Sequence, residues 1–171
     1  MLKGEIKMSE DLIKKGQRYL VYKEYEKSIE AFTKAIEAGC KNSEIYRSRG
    51  IAYIMTSNYQ KARADFDEAI RISPDNARAY YNRGLVYFKI KQYEKALKDF
   101  NAAIKLNPTY APAYLGRARV YQVLGKQEKV EENLKTLIRI GEARLQRTLG
   151  ILDEREIKEK LEELIKYGKF L

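Results

Sequence analysis

The sequence predicts an all-α protein: a right-handed superhelical array of antiparallel helix pairs, four units long, with C-terminal capping helices. Two observations carry that reading. Columns of like residues recur every 34 positions: Gly16, Gly50 and Gly84 with Ala118; Tyr19, Tyr53, Tyr87 and Tyr121; Phe32, Phe66 and Phe100 with Leu134. A fixed period of roughly 20–50 residues marks stacked units that bury one continuous core. Inside each unit, apolar residues fall three or four apart, which places one stripe on each of two helices.

The elements follow in order. The first unit pairs a helix over 9–22, with Leu12, Gly16 and Tyr19 on its stripe, with one over 25–38 carrying Ser28, Phe32 and Ala35. The second pairs 43–56 (Tyr46, Gly50, Tyr53) with 59–72 (Ala62, Phe66, Ala69). The third pairs 77–90 (Tyr80, Gly84, Tyr87) with 93–106 (Tyr93, Ala96, Phe100, Ala103), joined by a short turn at Lys91 and Gln92. The fourth pairs 111–124 (Ala118, Tyr121) with 127–140 (Val130, Leu134, Leu137). Pro74 and Pro108 end second helices, because proline lacks an N–H and disfavours helix in the residue before it. Small residues in the Gly16, Gly50, Gly84 column let a neighbouring helix approach, and the aromatics fill the space left between helices.

Residues 142–171 break the period. A short helix is expected over Ala143–Leu149, ending near Gly150. A further helix starts at Asp153 and Glu156, with Ile157, Leu161, Leu164 and Ile165 as its apolar stripe and Gly168 as its stop. It is read as a cap over the last unit; filling the array's own groove and dimerising are the alternatives. The chain thus divides into an extension (1–8), four repeats (9–42, 43–76, 77–110, 111–144) and a capping segment (145–171).

The third unit reads Tyr80, Arg83, Gly84, Tyr87, Ala96, Phe100, Pro108, and the second Tyr46, Arg49, Gly50, Tyr53, Ala62, Phe66, Pro74. This pattern resembles the tetratricopeptide repeat family across about residues 9–144. The outer units depart from it, with Leu12, Ser28, Ala118, Val130 and Leu134 in place of the family's residues, as terminal repeats commonly do. Arginine also stands where the family usually has leucine, at Arg49, Arg83 and Arg117, with Lys15 first. Asp65 and Asp99 precede Phe66 and Phe100 on the facing helix, so ion pairs within a repeat are expected. Ala31 and Asn133 would break that pairing in the outer units. The other reading of this column is a basic stripe for phosphate.

Composition narrows the function. The chain has 171 residues, 44% hydrophobic and 34% charged, with no His and one Cys, Cys40. That excludes Ser-His-Asp and Cys-His nucleophiles, histidine metal sites, zinc knuckles and a disulfide framework. No cofactor, metal or catalytic constellation is expected. The formal charge is +10, and residues 142–171 carry seven of each sign, so the excess sits in residues 1–141. With no apolar run long enough for a membrane span and no signal core at the start, a cytoplasmic protein is expected.

The resemblance implies that the first helices line a groove that binds a peptide. The residues off the core columns there are Ile13, Gln17, Leu20, Arg47, Ile51, Ile54, Arg78, Tyr81, Asn82, Leu85, Phe88, Leu115, Arg119, Gln122 and Val123. The alternative for the large apolar ones, Ile51, Leu85 and Phe88, is packing between repeats. Arg47, Arg78, Lys89 and Arg119 against Glu10 and Glu44 suit an acidic-apolar protein segment, extended or helical. Some family members grip chaperone C-terminal carboxylates with Lys, Asn, Asn, Lys and Arg. Those positions fall here on Ile13, Gln17, Ser48, Arg78 and Asn82, or one repeat later on Arg47, Ile51, Asn82, Pro112 and Gly116. Neither set holds two carboxylates, so a heat-shock chaperone tail is not expected. The expected function is a non-catalytic interaction scaffold. Nucleic-acid binding through the basic surface is the second reading, and self-association the third partner class.

Overall fold

The computed structural model describes residues 3–149, with side chains from 9 to 143. Among the described residues there are eight α-helices and no strand: α1 (Lys3–Val21), α2 (Tyr25–Glu37), α3 (Ser43–Met55), α4 (Tyr59–Ile72), α5 (Ala77–Lys89), α6 (Tyr93–Leu106), α7 (Ala111–Val123) and α8 (Gln127–Leu149). Each odd helix packs on the even helix that follows it, and each even helix on the next odd one. The odd helices also touch in sequence, α1 with α3, α3 with α5 and α5 with α7. They therefore stand side by side as one layer of a helical-repeat array.

Two elements differ from expectation. The first helix begins at Lys3, inside the expected extension. The expected break between 140 and 143 does not occur, because α8 runs unbroken from Gln127 to Leu149. The reason lies in the missing proline. The helices α4 and α6 both stop two residues before Pro74 and Pro108, whereas Glu142 holds that column in the fourth unit and keeps its N–H. The expected second capping helix from Asp153 lies outside the described residues.

The glycine column is explained by a ring. A Cβ on Gly16, Gly50 or Gly84 would lie 2.7–2.8 Å from the Cε1 of Phe32, Phe66 or Phe100 respectively. All three phenylalanines are fully buried. In the fourth unit both partners change together, to Ala118 and Leu134, so the added methyl meets a smaller side chain. Ser28, the odd member of the alanine column, is buried without cost because its Oγ donates to the Gly16 carbonyl at 2.8 Å.

The turns within repeats share one geometry. Lys23, Ser57, Lys91 and Gly125 occupy the same column, each with φ between 59° and 68°. The following N–H returns to the Tyr19, Tyr53, Tyr87 or Tyr121 carbonyl at 2.8–2.9 Å, closing the last turn of each odd helix. Only Gly125 adopts this left-handed conformation at no steric cost.

Arginine stitches neighbouring repeats. Arg49 donates twice to Asp65, Nε at 2.9 Å and Nη2 at 2.7 Å, and its Nη1 reaches Thr33 of the preceding unit at 3.0 Å. Arg83 does the same with Asp99, at 2.8 and 2.7 Å, and with Asp67 at 2.8 Å. In the fourth unit the ion pair is lost, as Asn133 leads one to expect, but a neutral hydrogen bond keeps the link. Arg117 Nε donates to Asn133 Oδ1 at 2.8 Å and Nη1 to Asn101 at 2.6 Å, so a carboxamide replaces the carboxylate as acceptor. These guanidiniums are structural, which answers the phosphate-stripe reading.

Candidate functional site

The layer of odd helices carries the residues expected to meet a ligand. Their positions sort into two groups. Ile51 and Ile54 pack against the cluster of Ala62, Phe66 and Val86. Tyr81, Leu85 and Phe88 pack against Ala96, Phe100 and Val120. These five side chains stay partly accessible, so they serve as the floor of the face as well as packing between repeats. Ile13, Leu20 and Leu115 are half-buried in the same register, while Gln17 and Gln122 are exposed.

Polar groups gather over the middle of that floor. Arg78 is exposed on α5, one turn before Asn82. Arg47, on α3, is half-buried and forks onto Glu44, its Nε 2.9 Å from Oε2. That bond holds the Glu44 carboxyl below the usual range, with the charges of Arg47 and Arg78 adding to it. The Tyr81 and Tyr110 rings meet edge-on, with centroids 5.4 Å apart. Burial raises both phenols, while Arg119 pulls Tyr81 down and Arg78 and Arg47 pull Tyr110 down. Arg47, Arg78, Arg119, Tyr81 and Tyr110 thus share one electrostatic neighbourhood.

Asn82 lies at its centre in sequence and is only 7% exposed. Among the described residues, its Nδ2 is the buried side-chain donor without a hydrogen-bond partner. An unpaired buried amide costs about 1–3 kcal/mol, so an incoming carbonyl or carboxylate oxygen would gain by meeting it. The sequence placed Asn82 on this face; that its amide is buried and unpaired appears only in the structure. Val123 differs from the rest, standing 54% exposed at the end of α7. Tyr110, by contrast, was missed by the sequence reading, because it precedes α7 and lies off the helical spacing.

Among the described residues, no group of three His, Cys, Asp or Glu is placed to hold a metal ion, and no helix is long and apolar enough to cross a membrane.

The fold and face define a helical-repeat protein, and comparison with known proteins names the class. Residues 77–110 match the family model described as tetratricopeptide repeat, and residues 56–91 one described as TPR repeat. Residues 56–110 thus carry tetratricopeptide repeats, and the fold around them is similar to solved tetratricopeptide structures. The crystal structure of MamA is similar over 85% of each chain, with 26% identity and a TM-score of 0.76. The TPR domain of Arabidopsis OM64 is 27% identical, covers 69% of this chain and 98% of its own, and has a TM-score of 0.67. The first TPR of Spaghetti (RPAP3), bound to the HSP90 peptide SRMEEVD, is 25% identical over 70% of this chain and 94% of its own, with a TM-score of 0.66. No curated protein sequence matches the chain.

Proposed function

We propose that this protein is a non-catalytic scaffold whose odd-helix face holds an acidic-apolar protein segment. The observation that carries the reading is the buried, unpaired Asn82 amide on the layer of odd helices that also carries Arg47, Arg78 and Arg119. A peptide laid across the partly accessible apolar floor would offer carbonyl oxygens to Asn82 and carboxylates to the guanidiniums, which bind them as a planar fork. Peptide capture by a similar fold, in the Spaghetti (RPAP3) complex, supports the class of function. A chaperone tail is not the proposed ligand, because Ile13, Gln17 and Ser48 stand where its terminal carboxylates would need cations and amides.

The test is panning of a displayed peptide library against the full chain. Selected peptides should be acidic and apolar. Their affinity should fall about tenfold or more in Arg47→Ala with Arg78→Ala, since hydrogen bonds to charged groups are worth about 1.5–3 kcal/mol each, while Tm stays within a few degrees. Peptides bound equally by the variant, or no selection at all, would remove the assignment.

A further inference from the structure

Seven large hydrophobic side chains stand exposed among the described residues, and six of them share one edge of the array. Val21, Met55 and Val123 hold the last position of α1, α3 and α7; Tyr22, Ile90 and Leu124 hold the next column. Val21 and Tyr22 are 77% and 68% exposed. Because the odd helices run side by side, these turns follow one another along the edge. At roughly 8–10 Å between packed helices, the four turns span about 25–30 Å. So much apolar surface at turns is unusual, since polar residues are the rule there.

The same edge is basic. Residues 18–27, 52–61, 86–95 and 120–129 hold nine Lys and Arg against four Glu, half of the formal +10 of the chain. The opposite turns, 38–47, 72–81 and 106–115, hold three against two, with Leu106 as their exposed large hydrophobic. One lysine column is fixed in place: the ammoniums of Lys27, Lys61, Lys95 and Lys129 lie 5.3–5.7 Å from the ring centres of Tyr19, Tyr53, Tyr87 and Tyr121.

We propose that this edge is a peripheral docking surface for an anionic phospholipid bilayer. Single apolar side chains at turn tips, ringed by lysines, can enter the headgroup boundary while the ammoniums meet lipid phosphates and carboxylates. Tyr22 has the amphipathic ring that sits at that depth. A second copy is the poorer occupant, since pairing two such edges would bring like charges together. Single-stranded nucleic acid is poorer too. Eight of the nine cations are lysines, and the tips are aliphatic or methionine apart from Tyr22, which gives no row of stacking rings. The odd-helix face stays free for a protein segment, so the edge would bring that partner to a membrane.

The experiment is co-sedimentation of the full chain with vesicles of phosphatidylcholine containing 30% phosphatidylserine, beside pure phosphatidylcholine. Binding should require the anionic lipid and weaken by about tenfold when salt is raised from 0.1 to 0.5 M. Val21→Ser with Tyr22→Ser and Met55→Ser should lower partitioning by about tenfold, and Lys23→Glu with Lys91→Glu and Lys126→Glu should abolish it. All these positions are exposed, and unchanged circular dichroism certifies the fold. Equal binding to both vesicle types, or insensitivity to the apolar substitutions, overturns the proposal. So does a chain that ignores vesicles while binding a poly-uridine probe through the same lysines, or one whose apolar variant only dissolves a dimer.

Discussion

Replacing Asp99 by alanine removes the carboxylate that receives two guanidinium bonds from Arg83, at 2.7 and 2.8 Å. The Asp99 side chain is 4% exposed and that of Arg83 20%, so the orphaned cation has little water to turn to. Breaking a buried pair on one side costs about 3–5 kcal/mol. Arg83 keeps its bond to Asp67, which lowers the expected loss to about 2–3 kcal/mol. Asp65→Ala should cost more, about 3–4 kcal/mol, because Arg49 then retains only the neutral Thr33 hydroxyl. Asp99→Asn is the informative companion. Arg117 already bonds a carboxamide at this column, with Asn133 donating its Nδ2 to the Lys129 carbonyl at 2.6 Å. The asparagine variant should therefore lose only about 1 kcal/mol, the worth of an ordinary hydrogen bond. Urea titrations followed by circular dichroism at 25 °C measure all three. Equal losses for Asn and Ala at residue 99, or an Asp99→Ala loss below about 0.5 kcal/mol, would refute the view that a satisfied acceptor, rather than its charge, is what this position requires.

Three more predictions come from the packing and the turns. Gly84→Ala drives a methyl to 2.8 Å from the buried Phe100 ring; overpacking should outweigh the helix-propensity gain and cost about 1–2 kcal/mol. Adding Phe100→Leu should make the pair less costly than the sum of its parts, as the Ala118 and Leu134 pairing suggests; additive losses in thermal melts would contradict it. Ser57→Gly relieves a left-handed residue with φ 59° and should raise stability by about 0.5–1 kcal/mol, read as a higher urea midpoint. The Glu44 carboxyl is held low by Arg47, so its contribution is present in full above its unfolded pKa and is lost as pH falls through the lower folded value. Glu44→Gln should thus fall below wild type by a few tenths of a kcal/mol at pH 6 and match it near pH 3; a constant gap at both pH values would show that the carboxylate's titration is not involved.

Much of the fold was legible because each repeat obeys local rules. A helix face needs apolar residues three or four apart, proline favours a stop, and a close approach needs glycine, so the described helices fall where the 34-residue columns put them, apart from the early start of α1 and the unbroken α8. The continuation of α8 through Gly141 followed the same logic in reverse, since no proline was there to stop it. The odd-helix face was legible only as a set of positions. Spacing could place Ile51, Leu85 and Asn82 on the odd helices, but it could not say that the first two rest on Phe66 and Phe100 clusters or that the Asn82 amide is buried without a partner. Those facts depend on how the neighbouring repeat sits against the helix, which no residue encodes alone.

The sequence by itself determined the repeat, the pairing of helices within it and the excess of positive charge, because each is a property of spacing or count. Tertiary structure decided what the charges do. It turned Arg49, Arg83 and Arg117 inward as links between units, left Arg78 outward above the odd-helix face, and lined up turns that are 34 residues apart into one basic, apolar edge. Burial and adjacency are sums over neighbours from other repeats, and stacking geometry fixes those neighbours only when the chain folds.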